Sequence, residues 1–127
     1  MCASTMSQAA AENALVAGFT NDFADIKKMH DDYDMRRRVI YRKLNDMGLS
    51  SFEPKGAFYI FPCIKSTRLT SDEFATRLLE QEHVAVVPGT AFGPSGEGFV
   101  RCSYASSLKN IHEAMARIRH FLESLHV

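Results

Sequence analysis

The stretch "FVRCSYA", residues 99–105, constrains the fold more than any other part of this 127-residue chain. It is rich in aromatic and β-branched residues, and side chains along a strand point alternately to its two sides. Val100, Cys102 and Tyr104 therefore share one face, and Phe99, Arg101 and Ser103 share the other. The first set suits a dry interior. A guanidinium is almost never fully buried without a partner, so the second set belongs on a face that the interior leaves open. A sheet built on this strand is covered by helices on one side only.

The remaining sequence supplies those helices. "SQAAAENALVA" (residues 7–17) is alanine-rich and reads as a short helix ended by Gly18. A long helix follows over residues 22–47, capped by Asn21 or Asp22 and stopped by Gly48. Its apolar stripe is Phe23, Ile26, His30, Tyr33, Ile40, Leu44 and Met47, at spacings of three, four or seven. Asp32–Arg36 and Asp34–Arg38 are acid-before-base pairs that support a solvated helix face. "GAFYIFP" and "VAVVPG" read as strands, the second ended by a Pro-Gly turn. Between them, Thr70 stands three residues before Glu73, the capping-box spacing, at the head of another helix. The closing helix carries Leu108, Ile111, Met115, Ile118, Leu122 and Leu125 as its core stripe. The fold class is α+β: a small mixed sheet with helices on one face.

Composition narrows the function. Fifteen basic residues balance fifteen acidic ones, which argues against nucleic-acid binding driven by bulk charge. No apolar run is long enough to span a bilayer, and the N-terminal residues lack the pattern of a secretion signal. Cys2, Cys63 and Cys102 are too few for a disulfide framework, so the expected compartment is the reducing cytoplasm. The histidines at 30, 83, 112, 120 and 126 have no metal-ligand spacing, and no metal is expected. Cys102 reads as a small core residue, and Ser103 has no neighbouring base to activate it. The loop "PGTAFGPSGEG" lacks the Gly-Lys-Ser/Thr ending of a phosphate loop; it reads as a flexible segment beside a ligand or another domain.

"KGAFYIF" partly resembles the RNP1 strand of RNA-recognition modules, through Lys55, Gly56 and Ile60. Ala57 stands where an aromatic stacker is needed, and Phe58 replaces a small residue. A small RNA-binding module is the alternative from a different class. For Arg101 two readings stand level. One is a structural ion pair with Glu97 or Glu53; the other is a planar fork gripping a ligand carboxylate.

Three stretches together, "PKGAFYIFP" (54–62), "VAVVPGTAFG" (84–93) and "FVRCSYA" (99–105), resemble the C-terminal part of fold-type I, pyridoxal-phosphate (PLP)-dependent aminotransferases of class I/II, the aspartate aminotransferase superfamily. The resemblance covers essentially the whole chain. It implies that residues 1–18 correspond to the end of a large domain. Residues 19–127 correspond to the small C-terminal domain, with the long connecting helix at 22–47. It implies that Arg101 binds the α-carboxylate of an amino or 2-oxo acid substrate, with Phe58, Tyr59 and Ile60 as pocket neighbours. The loop around Pro88, Gly89 and Phe92 leads into the mobile edge of the small domain.

The resemblance places the family's Schiff-base lysine in the large domain, inside a Ser-x-x-Lys-type motif, and Lys55 is no substitute by position. PLP is accordingly expected in the full enzyme and not on this chain alone, which is expected to be inactive. The family's habit of forming homodimers, and a carbon–sulfur lyase on the same fold as the closest enzymatic rival, complete the expectations.

Overall fold

A computed structural model of the chain describes residues 2–125; the expectation for His126 lies outside them. In chain order the elements are α1 (Thr5–Asn21), α2 (Ala24–Asp46), β1 (Tyr59–Ile60), α3 (Ser71–Glu82), β2 (Val87–Pro88), β3 (Val100–Ser103) and α4 (Leu108–Ser124). The chain divides into two compact units between Asp32 and Tyr33.

In the first unit, Ser4 caps α1 by accepting from the Ser7 backbone N–H. The helix does not end at Gly18 but runs on to Asn21. Gly18 serves instead as the acceptor of the closing turn. Asp22 and Phe23 both take φ near 53°, and the N–H groups of both return to the Gly18 carbonyl. The Phe23 ring folds back over Gly18, where a Cβ would meet Cε1 at 2.3 Å. This is why glycine stands inside the helix and not after it. Asn21 and Asp22 thus close α1 and do not cap α2.

In the second unit, Gly48 stops α2 as expected, with φ 82°. Ile40 and Leu44 are buried, and Tyr33 and Met47 pack against the same core, so this half of the stripe is realised. Ile26 and His30, in the first unit, are exposed. Arg37 bridges Asp34 at 2.7 Å and Glu53 at 2.5 Å, which ties the segment after α2 back to the helix. Asp34 also pairs with Arg38, whereas Arg36 lies over the Tyr33 ring.

The sheet has the order β1-β3-β2, and both pairings are antiparallel. The expected mixed sheet is therefore not formed. β1 and β2 do run in the same direction, joined by the crossover through α3, but β3 fills the gap between them and pairs with each in reverse. The two outer strands are also shorter than "GAFYIFP" and "VAVVPG" suggest. Ala57 takes φ 56° in a turn, held by the Tyr104 hydroxyl donating to its carbonyl at 3.0 Å. The Tyr104 N–H donates to the Phe58 carbonyl at 2.9 Å. The RNP1-like stretch is consequently a turn followed by two strand residues. At the other flank, residues 84–86 leave the ladder. With Cys102 and one side of α4 they line an open cleft of about 350 Å³.

Val100, Cys102, Tyr104 and Ile60 face a core completed by Phe74 and Leu78 of α3 and by Ile111, Met115, Ile118, Phe121 and Leu122 of α4. Phe121 is fully buried, edge-on to Phe74 at 5.3 Å between centroids. It lies three residues after Ile118 and belongs to the α4 stripe, whereas Leu108 and Leu125 at the two ends are half-buried. Thr70 and Glu73 form the expected capping box. At the far end of α3, Glu82 accepts from His120 Nδ1 at 2.6 Å, and Arg117 donates to the Glu82 carbonyl at 2.9 Å.

Phe121→Ala should cost about 3–5 kcal/mol, because it opens a cavity where two aromatic rings meet; the drop in urea midpoint measures it. The Glu82 carboxylate raises the His120 pKa above the ordinary histidine value. The pair therefore adds stability that is complete below pH about 6.5, the unfolded histidine's value, and is lost as pH rises through the raised folded value. Urea midpoints at pH 5.5 and pH 8.5 should differ in favour of the lower pH. His120→Gln should shrink that difference.

Candidate carboxylate-binding site

Arg101 sits on the central strand and, by alternation, on the face opposite the core. Val87 opposes it across the β2–β3 ladder, and Tyr59 opposes the neighbouring outward residue, Ser103, across β1–β3. The guanidinium carbon lies 4.3 Å from the Tyr59 ring centroid and 4.7 Å from that of Phe92. One ring reaches it from β1, the other from the 3-10 turn Gly89–Phe92 that follows β2. Aromatic rings attract a cation through their quadrupoles and shield its faces from water, leaving the in-plane N–H donors free.

Neither acid considered for an ion pair reaches Arg101. The Glu97 carboxylate accepts from the Ser71 backbone N–H at 3.0 Å. Glu53 is engaged by Arg37 and by Lys55, the latter at 3.1 Å. Among the described residues no carboxylate forms a salt bridge with Arg101. No buried side-chain donor lacks a partner among them either, so the free guanidinium donors reach solvent. A half-buried cation with uncommitted, coplanar donors can receive two oxygens of one carboxylate.

The other residues singled out from sequence separate by strand alternation. Tyr59 is half-buried beside Arg101. Phe58, at the turn into β1, stacks on Tyr33 at 6.2 Å and packs against Tyr59 at 4.6 Å. Ile60 is 1% exposed and faces the core opposite Cys102, so its side chain is not beside the guanidinium. Cys102 is a core residue whose thiol is pushed up to about 12 by burial, which leaves it inert. The Ser103 hydroxyl accepts from the Ala105 N–H. Phe92, which the resemblance places only in a loop at the edge of the small domain, is the member of the site that pattern reading does not set beside Arg101. It comes from an irregular loop, where no periodicity says which way a side chain turns.

That loop is tightly held. The Gly89 N–H donates to the Phe99 carbonyl at 2.9 Å, and the backbones at Gly89 and Gly96 are pressed together. A Cβ on Gly89 would stand 2.0 Å from the Gly96 carbonyl oxygen. Ser71, the first residue of α3 and wholly buried, accepts from the Gly98 N–H at 2.9 Å through its hydroxyl. The Thr90 hydroxyl donates to Asp72 at 3.1 Å. Among the described residues no cluster of His, Cys, Asp and Glu could hold a metal ion, and no helix is long and apolar enough to cross a membrane.

This helix-rich α+β chain with its three-stranded sheet has counterparts among known proteins. The model of the family "Aminotransferase class I and II" matches residues 1–118, and the chain belongs to that family of PLP-dependent transferases. An aspartate aminotransferase of Pyrococcus abyssi is 52% identical over 97 residues, covering 76% of this chain and 25% of the relative. Among solved structures, a Pyrococcus protein named protein-A1 is 45% identical with a TM-score of 0.90, over 97% of this chain and 31% of the other. The aspartate aminotransferase of Thermotoga maritima is 38% identical with a TM-score of 0.82, over 96% and 29%. The chain thus spans between a quarter and a third of the length of these relatives. Lys55 is paired with Glu53, and Lys65 lies over the Phe99 ring.

Gly89→Ala should separate the two pressed backbones and lower stability by about 2 kcal/mol or more. A thermal midpoint within a degree of the unsubstituted chain would contradict this packing.

Proposed function

We infer that this chain is the small, C-terminal domain of a PLP-dependent aminotransferase, and that Arg101 grips the α-carboxylate of its substrate. The observation that carries this reading is the unpaired guanidinium set between Tyr59 and Phe92 on the face away from the core. The reaction is exchange of an amino group between an amino acid and a 2-oxo acid. Both carry the same carboxylate, so one arginine serves both halves of the cycle. Holding that group fixes the substrate's orientation, which lowers the barrier by positioning. PLP supplies the electron sink when bound, and in this reading a large domain of the same polypeptide holds it. Residues 1–18 end that large domain, Phe58 and Tyr59 border the substrate, and the intact enzyme is a cytoplasmic homodimer. The chain by itself is inactive.

The test joins this chain to the remainder of the Thermotoga maritima aspartate aminotransferase, in place of the matching 29%. The hybrid should transfer the amino group of aspartate to a 2-oxo acid, and the chain alone should not. Arg101→Lys in the hybrid should raise KM for both substrates by about 10- to 100-fold, because a point charge replaces a two-pronged charged contact. Unchanged KM values would remove the carboxylate assignment. Elimination of sulfide from cysteine without transamination would favour a lyase.

A further inference from the structure

Resting on that reading of Arg101, we propose that Phe92 is a positioning residue. With Tyr59 it sets the orientation of the guanidinium that meets the carboxylate, and the Ser71–Gly98 contact fixes Phe92 in turn.

Three observations support this. Arg101 has no hydrogen-bonding or ionic partner among the described residues that could orient it, and its charge lies against two aromatic rings. An arginine side chain carries about 2 kcal/mol of rotamer entropy, and an untethered one must lose it when ligand arrives. Rings lying against the cation restrict it beforehand while leaving the N–H donors free.

Second, Phe92 is about half exposed, lies outside the buried core cluster and touches Phe61 edge-on at 5.5 Å. Its burial contributes little to holding the domain together, so the contact with Arg101 is its distinctive one.

Third, the backbone that carries it is anchored on both sides. Gly89 is bonded to Phe99 and pressed against Gly96 before Phe92. After it, Gly98 is bonded to the buried Ser71 hydroxyl, and Glu97 accepts from the Ser71 N–H. The N-terminus of α3 therefore sets where this ring stands.

Two experiments decide it. In the 127-residue chain labelled with ¹⁵N-arginine, the Arg101 Nε–H resonance, assigned by its loss in Arg101→Lys, should be shifted upfield by the two rings. Phe92→Leu should move it toward the free-arginine position, Phe92→Tyr should preserve it, and the thermal midpoint should change little in either. In the hybrid with the Thermotoga maritima remainder, Phe92→Leu should raise KM for amino and oxo acid alike by about 3- to 10-fold, with kcat nearly unchanged. Phe92→Tyr should restore KM. Ser71→Ala should shift the Arg101 resonance in the same direction as Phe92→Leu.

An Arg101 signal at the free-arginine position in the unsubstituted chain overturns the proposal, whether or not the hybrid folds. So does an unchanged KM in Phe92→Leu where Arg101→Lys raises it. If Arg101→Lys itself leaves KM unchanged while the upfield shift is present, the carboxylate reading fails and the ring-held arginine remains.

Discussion

A guanidinium cannot share a dry face with Val100 and Tyr104, and it stands on the strand with which both others pair. Together these facts set the register of the whole sheet. A slip of one residue would carry Arg101 into the core and bring Val100 and Cys102 into water. The cost of burying an unpaired charge far exceeds what any single ladder bond returns. From this follow the side on which α3 and α4 pack, the burial of Ile60 opposite Cys102 and the exposure of the site.

The second organising contact is Ser71. A hydroxyl with no access to water must be fully bonded, and it is shared between the head of α3 and the loop that precedes β3. Thr70 and Glu73 complete the helix start one residue away. The helix N-terminus thereby satisfies its own orphan donors and a loop's at the same time. Local capping chemistry and the placement of the aromatic ring over Arg101 are joined at this point.

Much of this was legible in the sequence. The alternation along residues 99–104 gives the buried and open faces correctly, and the capping box and Gly48 stop are plain from residue types. What escapes is whatever depends on which side chains and backbones come into contact. Gly18 reads as a terminator because nothing local reveals the Phe23 ring that needs its missing side chain. "GAFYIFP" reads as a full strand because Tyr104, some 47 residues on, bends its first half into a turn. The antiparallel order of the sheet is a crossover property that no single segment carries. For the site, Arg101 was conspicuous and its lack of an acid partner was not. Only the geometry shows Glu97 and Glu53 engaged elsewhere.

The brevity of the outer strands has a consequence of its own. β1 and β2 each contribute two residues, and Pro88 has no N–H to offer a newcomer. Long unpaired sheet edges are where chains add to one another, and here there is almost none. Association of this unit with other protein surfaces is thereby steered away from strand addition. Phe58, Phe61 and Phe92 remain accessible on the described surface.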